Sequence, residues 1–162
     1  MTVQAIMEMI RINGSDTRRI NHAVKVLGFA RCIADSEHLS GDALKTVELA
    51  AVLHDIAIRY CEENYGSYGG KLQEKEGPAI ARPILMRCGA SPAVSERVQY
   101  IIAHHHTYTN VDGIDYQIII EADFLVNRDE GDFSHEAFAN FFGKYFRTTA
   151  GKELARQMFG VT

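Results

Sequence analysis

The 162-residue chain has no tryptophan, only three prolines and only three cysteines, and these shortages already narrow what it can be. Cys32, Cys61 and Cys88 are odd in number, far apart and free of any CxxC pair. Neither a disulfide framework nor a thiolate zinc site is therefore expected, and the usage suits a reducing cytoplasm. Neither sign of charge dominates: 17 basic residues face 21 acidic ones, for a net charge of -4. With no basic stripe, long nucleic acid and anionic membrane surfaces are not expected partners. No apolar run approaches the roughly 18 residues of a membrane span. Met1 to Arg11 also lacks the positively charged start of a secretion signal, so the expected location is cytoplasmic.

What is present is ordinary for one soluble globular domain, with 46% hydrophobic and 23% charged residues. A chain of this length buries roughly 70% of its unfolded surface, enough for one core without crosslinks. No internal repeat or linker divides it, so residues 1–162 are read as a single domain.

Apolar residues recur at intervals of three and four, with no convincing alternating strand, which predicts an all-α helical bundle. A first helix carries Ile6, Met7, Met9 and Ile10 and stops at Asn13-Gly14. A second starts at Ser15 or Asp16 and runs to about Asp35, with His22 beside its apolar stripe. A third starts at Ser40-Gly41-Asp42 and turns Leu44, Val47, Ala51, His54 and Ile58 to one side. Residues Glu62 to Gly77 hold four glycines and read as a long loop able to act as a lid, its Tyr65 and Tyr68 either stacking on a base or anchoring the loop. A short helix from Pro78 to Cys88-Gly89 follows. The next, from Ser91-Pro92, brings His104 and His105 to the border of the buried face, with His106 expected outside. A helix from about Asp115 sets Asp123 among aliphatics, and residues 134–160 are aromatic packing helices that could also cover a homodimer interface.

Three helices thus turn His22, the pair His54-Asp55 and Asp123 inward. A buried carboxylate without a partner is costly or becomes protonated, so a cation among these groups is the economical account. Imidazole nitrogen with carboxylate oxygen suits Mn, Fe, Co, Ni, Zn or Mg rather than a structural zinc finger.

The ordered set His22, His54-Asp55 and Asp123, within Asn21-His22-Ala-Val-Lys-Val and Ala51-Val-Leu-His54-Asp55-Ile-Ala, resembles the HD-domain metal-dependent phosphohydrolase superfamily. Ile101-Ile-Ala-His-His-His106 and Ile120-Glu-Ala-Asp123-Phe-Leu extend the similarity, which covers roughly residues 15 to 127. The resemblance implies an all-helical HD bundle, one or two divalent ions, and His22, His54, Asp55 and Asp123 as primary ligands. It further implies that metal-bound hydroxide attacks phosphorus, because a divalent ion lowers the pKa of bound water from about 15.7 toward 7. Asp55 would orient or deprotonate that water, or bridge two ions. Arg18, one turn before His22, is the first choice to clamp phosphoryl oxygens, and Lys25 the second.

Two departures from the pattern stand out. Many members carry a lysine three residues after the aspartate, where this chain has Ile58. Two-metal relatives, some of which hydrolyse dinucleoside polyphosphates, place a histidine just before a Gly-Pro helix start, where this chain has Glu76-Gly77-Pro78. Glu76 could ligate a second ion or bind the site's water. His104 and His105 could be ligands, an acid or substrate contacts. The expected substrate is a small phosphorylated metabolite, a nucleotide or dinucleotide foremost. The alternatives are a slow metal- and nucleotide-binding regulatory module and, behind it, an iron-dependent HD-type oxygenase.

Overall fold

The computed structural model describes residues 1–162 and consists of helices joined by short turns, with no strand. The elements are α1 Thr2–Asn13, α2 Thr17–Ser36, α3 Gly41–Leu53, α4 Ile58–Tyr65, α5 Gly70–Arg87, α6 Pro92–Ile102, α7 Ile114–Asp129, α8 His135–Tyr145 and α9 Thr149–Phe159. Local chemistry explains several starts. Asp16 caps α2 by accepting from the Arg19 N–H, and the Ser91 hydroxyl accepts from the Val94 N–H ahead of Pro92 in α6. α3 is the central element, buried from Val47 to Leu53 apart from a single marginal position, and it packs against α1, α2, α6 and α7. Leu49, Leu53, Ile33, Ile101 and Leu125 belong to one continuous apolar cluster that also takes in Phe138 and Phe146 of the C-terminal third. No helix is long and apolar enough to cross a membrane. All three cysteines are free thiols, Cys61 and Cys88 buried and Cys32 exposed.

Two sequence expectations need correction. The third helix does not run through to Ile58: it ends at Leu53, and His54 to Ala57 form a turn before α4. The Glu62–Gly77 segment is not a lid loop. Only residues 66–69 separate α4 from α5, and Pro78 lies well inside α5 rather than at its start. Gly66 ends α4 in the left-handed conformation and Gly69 precedes α5, so two of the loop-like glycines are helix ends. Proline normally disfavours helix for the residue before it, through a clash that involves that residue's Cβ. Gly77 has no Cβ, and its bare backbone also lets Ile102 of α6 approach, since a Cβ there would sit 2.5 Å from Ile102 Cγ2.

Candidate metal centre

The elements around α3 deliver their polar side chains to one place. His22 from α2, His54 from the turn after α3 and Asp123 from α7 form one buried group, with donor atoms within 4.8 Å of one another. Asp55, His105 and His106 form a second group on the same criterion. Asp55 joins the two. Its Oδ2 lies 3.4 Å from His54 Nε2 and 3.6 Å from His22 Nε2, while its Oδ1 lies 3.4 Å from His105 Nε2.

The imidazoles are held in a definite tautomer by their other ring nitrogen. His54 Nδ1 is 2.9 Å from the Ala51 carbonyl and His105 Nδ1 is 2.8 Å from the Ile102 carbonyl. A carbonyl only accepts, so Nδ1 carries a hydrogen, and in the neutral ring Nε2 presents a lone pair. Both of those Nε2 atoms are buried and have no hydrogen-bond partner. His22 Nδ1 meets Glu130 Oε2 at 3.1 Å, and its Nε2 meets Asp123 Oδ1 at 3.1 Å.

The charges call for a cation. Burial alone would raise Asp123, but the hydrogen bond with His22 and the nearby His54 ring hold it well below the ordinary carboxylate range. Burial likewise opposes the ionised form of Asp55, and His54 and His105 overcome it. His54 is driven up despite burial, by Asp55 and Asp123. Two ionised carboxylates at the heart of the bundle thus pull positive charge onto the imidazoles, and a divalent ion would supply that charge directly. The spacing agrees: two donors about 2.1 Å from a shared ion at a tetrahedral angle lie about 3.4 Å apart, against the 3.1 to 3.6 Å seen among His22, His54, Asp55 and Asp123. These residues therefore fit a divalent metal.

A polar cavity of about 470 Å³ opens onto this floor, walled by His22, Asp55, His106 and Asp123, with Arg18, Arg19 and Tyr68 toward solvent. Residues 19–128, more than half of the chain, match the model of the HD domain. The chain belongs to the HD domain family. The HD residues His54 and Asp55 sit at the junction of the two donor groups. A crystal structure of a predicted HD superfamily hydrolase from an uncultured Thermotogales bacterium has a similar fold, with a TM-score of 0.68 and 24% identity, over 98% of this chain and 83% of that one. No curated protein matches the sequence.

Of the residues singled out from the sequence of this HD domain, the structure brings together His22, His54, Asp55, His105 and Asp123. Arg18 stands exposed at the cavity rim, 3.3 Å from Asp132. Lys25 points elsewhere, onto Asp129 and Glu130 at 3.1 Å each. His104 is outside both donor groups: its ring stacks on Tyr100, and its Nδ1 is held by the Tyr100 carbonyl. Glu76 is also outside them, accepting from Tyr65 and pairing with Lys75 at 3.0 Å. His106, expected outside, faces in; burial and the neighbouring His105 push its pKa down to about 4.

Sequence reasoning missed four supporting residues. Glu130 orients His22. Arg19 lines the cavity, held by Glu62 at 2.6 Å and facing the Tyr68 ring. Gln73 lines it from α5. Glu74, buried, accepts from the His106 N–H and the Thr107 hydroxyl and so ties α5 to the histidine turn. Glu130 lies two turns after Asp123 on the same side of α7, and its acidic character next to Asp129 was the one available signal.

Proposed function

We propose that this protein is a metal-dependent phosphohydrolase that cleaves a phosphoester or phosphoanhydride of a small metabolite, with a nucleotide as the favoured substrate class. The observation that carries the reading is Asp55, which turns one carboxylate oxygen to each of two donor groups at the floor of a polar cavity. Membership of the HD domain family supports it, as does the name of the similar Thermotogales protein. His22, His54, Asp55 and Asp123 would hold the ion, which when bound supplies Lewis acidity and makes water a better nucleophile at neutral pH.

The chain's own residues account for the rest. Asp55 keeps 25% of its side chain exposed, all that a reacting group needs to reach it from the cavity. His106 adds a buried ring nitrogen without a hydrogen-bond partner on the cavity wall. Arg18 and Arg19 bring two guanidinium groups to the rim, where they would hold phosphoryl oxygens. Tyr68 adds an aromatic face next to Arg19, and this supports a nucleotide over a plain sugar phosphate.

The test is metal-stripped protein reloaded separately with Mn, Co, Ni and Mg, assayed on nucleotides, dinucleoside polyphosphates and sugar phosphates, with Asp55→Ala alongside. Metal-dependent release of phosphate or nucleotide, absent in the variant at unchanged helical content, is the expected result. One observation favours a second reading: Ile58, an aliphatic side chain, lines the cavity where many relatives carry a lysine. A module that binds the nucleotide and turns over slowly would follow, and stoichiometric nucleotide binding without product would establish it in place of the hydrolase.

A further inference from the structure

Five buried side-chain atoms lack a hydrogen-bond partner, and four of them belong to residues of the donor groups or the cavity wall: His54 Nε2, His105 Nε2, His106 Nε2 and Gln73 Oε1. Gln73 is 5% exposed and shares the cavity wall with Asp55 and His106. Its orientation is chemically determined. Gln73 Nε2 donates to the Tyr68 carbonyl at 2.8 Å, a contact its oxygen could not make, so Oε1 is the end left over. Leaving a buried carbonyl unpaired is unfavourable, and such a group calls for an explanation.

The explanation lies in the donor group whose residues Asp55 and His106 share its cavity wall. With Nδ1 donating to Ile102, His105 Nε2 presents a lone pair in the neutral ring, and Asp55 Oδ1 lies 3.4 Å from it. His106 contributes a further ring nitrogen. A carboxylate and two imidazoles whose ligand atoms lie within 4.8 Å of one another can share a cation. We infer that Gln73 supplies the amide oxygen that completes a second cation position with Asp55, His105 and His106. Glu76 does not compete for this role, being committed to Tyr65 and Lys75. Gln73 lies one turn earlier in α5.

The first turns of α5 are shaped for this. Glu74 holds the His106 N–H and the Thr107 hydroxyl. Gly70 gives the His106 ring room, since a Cβ there would sit 2.7 Å from its Cγ. The second position has a neutral amide and a shared carboxylate, whereas the first has Asp123 to itself. It therefore binds its ion more weakly, and two imidazoles with two oxygens suit Mn, Fe, Co or Ni.

The assignment rests on the reading of the first donor group as a metal site, and one experiment separates the two. Chelator-stripped protein is titrated with Mn²⁺ by calorimetry and by electron paramagnetic resonance. Wild type is expected to bind two ions per chain, the first more tightly, and the second to couple magnetically to the first. Gln73→Met should keep the first ion and its affinity, weaken the second by roughly tenfold or more, and leave the spectrum of an isolated ion. Gln73→Glu should bind the second ion at least as tightly as wild type. One ion in wild type, or two with unchanged affinities in Gln73→Met, overturns the inference and leaves the first site standing. No bound ion in wild type removes the proposed function as well. If circular dichroism shows Gln73→Met to be unfolded, Gln73→Glu decides, and a weaker second ion in it refutes the assignment.

Discussion

Glu130 is the residue through which the reasoning about this site can be tested most sharply, because it touches no cavity-facing donor atom of the first group except through His22. It ends α7, where its carboxylate meets His22 Nδ1 at 3.1 Å and Lys25 Nζ at 3.1 Å, and its side chain is 11% exposed. The bond fixes the His22 ring so that Nε2 faces Asp123 and Asp55. Removing such a supporting partner typically weakens metal affinity by roughly 10- to 100-fold, which is about 1.4 to 2.7 kcal/mol. That range overlaps the ~1.5 to 3 kcal/mol of a hydrogen bond to a charged group. Glu130→Ala should therefore raise the dissociation constant for Mn²⁺ at the first site by roughly one to two decades. Its backbone is helical at that position, so the fold tolerates alanine. Glu130→Gln keeps an acceptor for His22 and should fall at the mild end. Lys25→Met is the control, because it leaves the His22–Glu130 bond in place. Competition against a chelator of known affinity measures all three. A Glu130→Ala protein that holds Mn²⁺ as wild type does would show that His22 needs no carboxylate to present its nitrogen, and the argument from tautomers would fall with it.

Arg18→Ala should retain metal and lower turnover, since Arg18 sits at the rim with only Asp132 as partner; an unchanged rate retires it as a phosphate clamp. Gly77→Ala forces a methyl group toward Ile102 and should cost about 1 to 3 kcal/mol, seen as a melting temperature lower by about 2 to 4 °C per kcal/mol; unaltered melting would mean that α5 can shift away from α6 at no cost. Mn²⁺ at a hundred times its dissociation constant should stabilise the folded chain by about 2.7 kcal/mol, a rise of roughly 5 to 10 °C. The same addition should leave Asp55→Ala unmoved, and an equal rise in that variant would place the ion elsewhere.

The readings that succeeded share a cause. His22, His54 and Asp123 lie on or beside helix faces whose remaining members are aliphatic, so a period of three to four in apolar residues already turned them inward. The failures share the opposite cause. In α5 the buried positions of the first two turns are Gln73, Glu74 and Gly77, and no apolar period betrays a helix there. Glycines that serve as helix ends and a room-making position read as loop from the sequence, and Pro78 as a beginning. His106 escaped because it lies in the turn after α6, where helical spacing no longer says which way a side chain points.

That pattern has a physical logic. A metal centre in a small bundle needs lone pairs from several directions, and the faces that deliver or support them cannot be apolar. Where aliphatic neighbours flank a single ligand, as around Asp123, the helix remains readable because its other turns still pack the core. Where a helix devotes successive turns to the site, as α5 does with Gly70, Gln73 and Glu74, polarity replaces periodicity and the element looks like a loop. The segment that resisted reading is thus the one that meets the second donor group. Its buried, unpartnered Gln73 oxygen is the residue-level trace of the same cause, a polar face that local packing does not satisfy and that a cation beside Asp55 and His105 would.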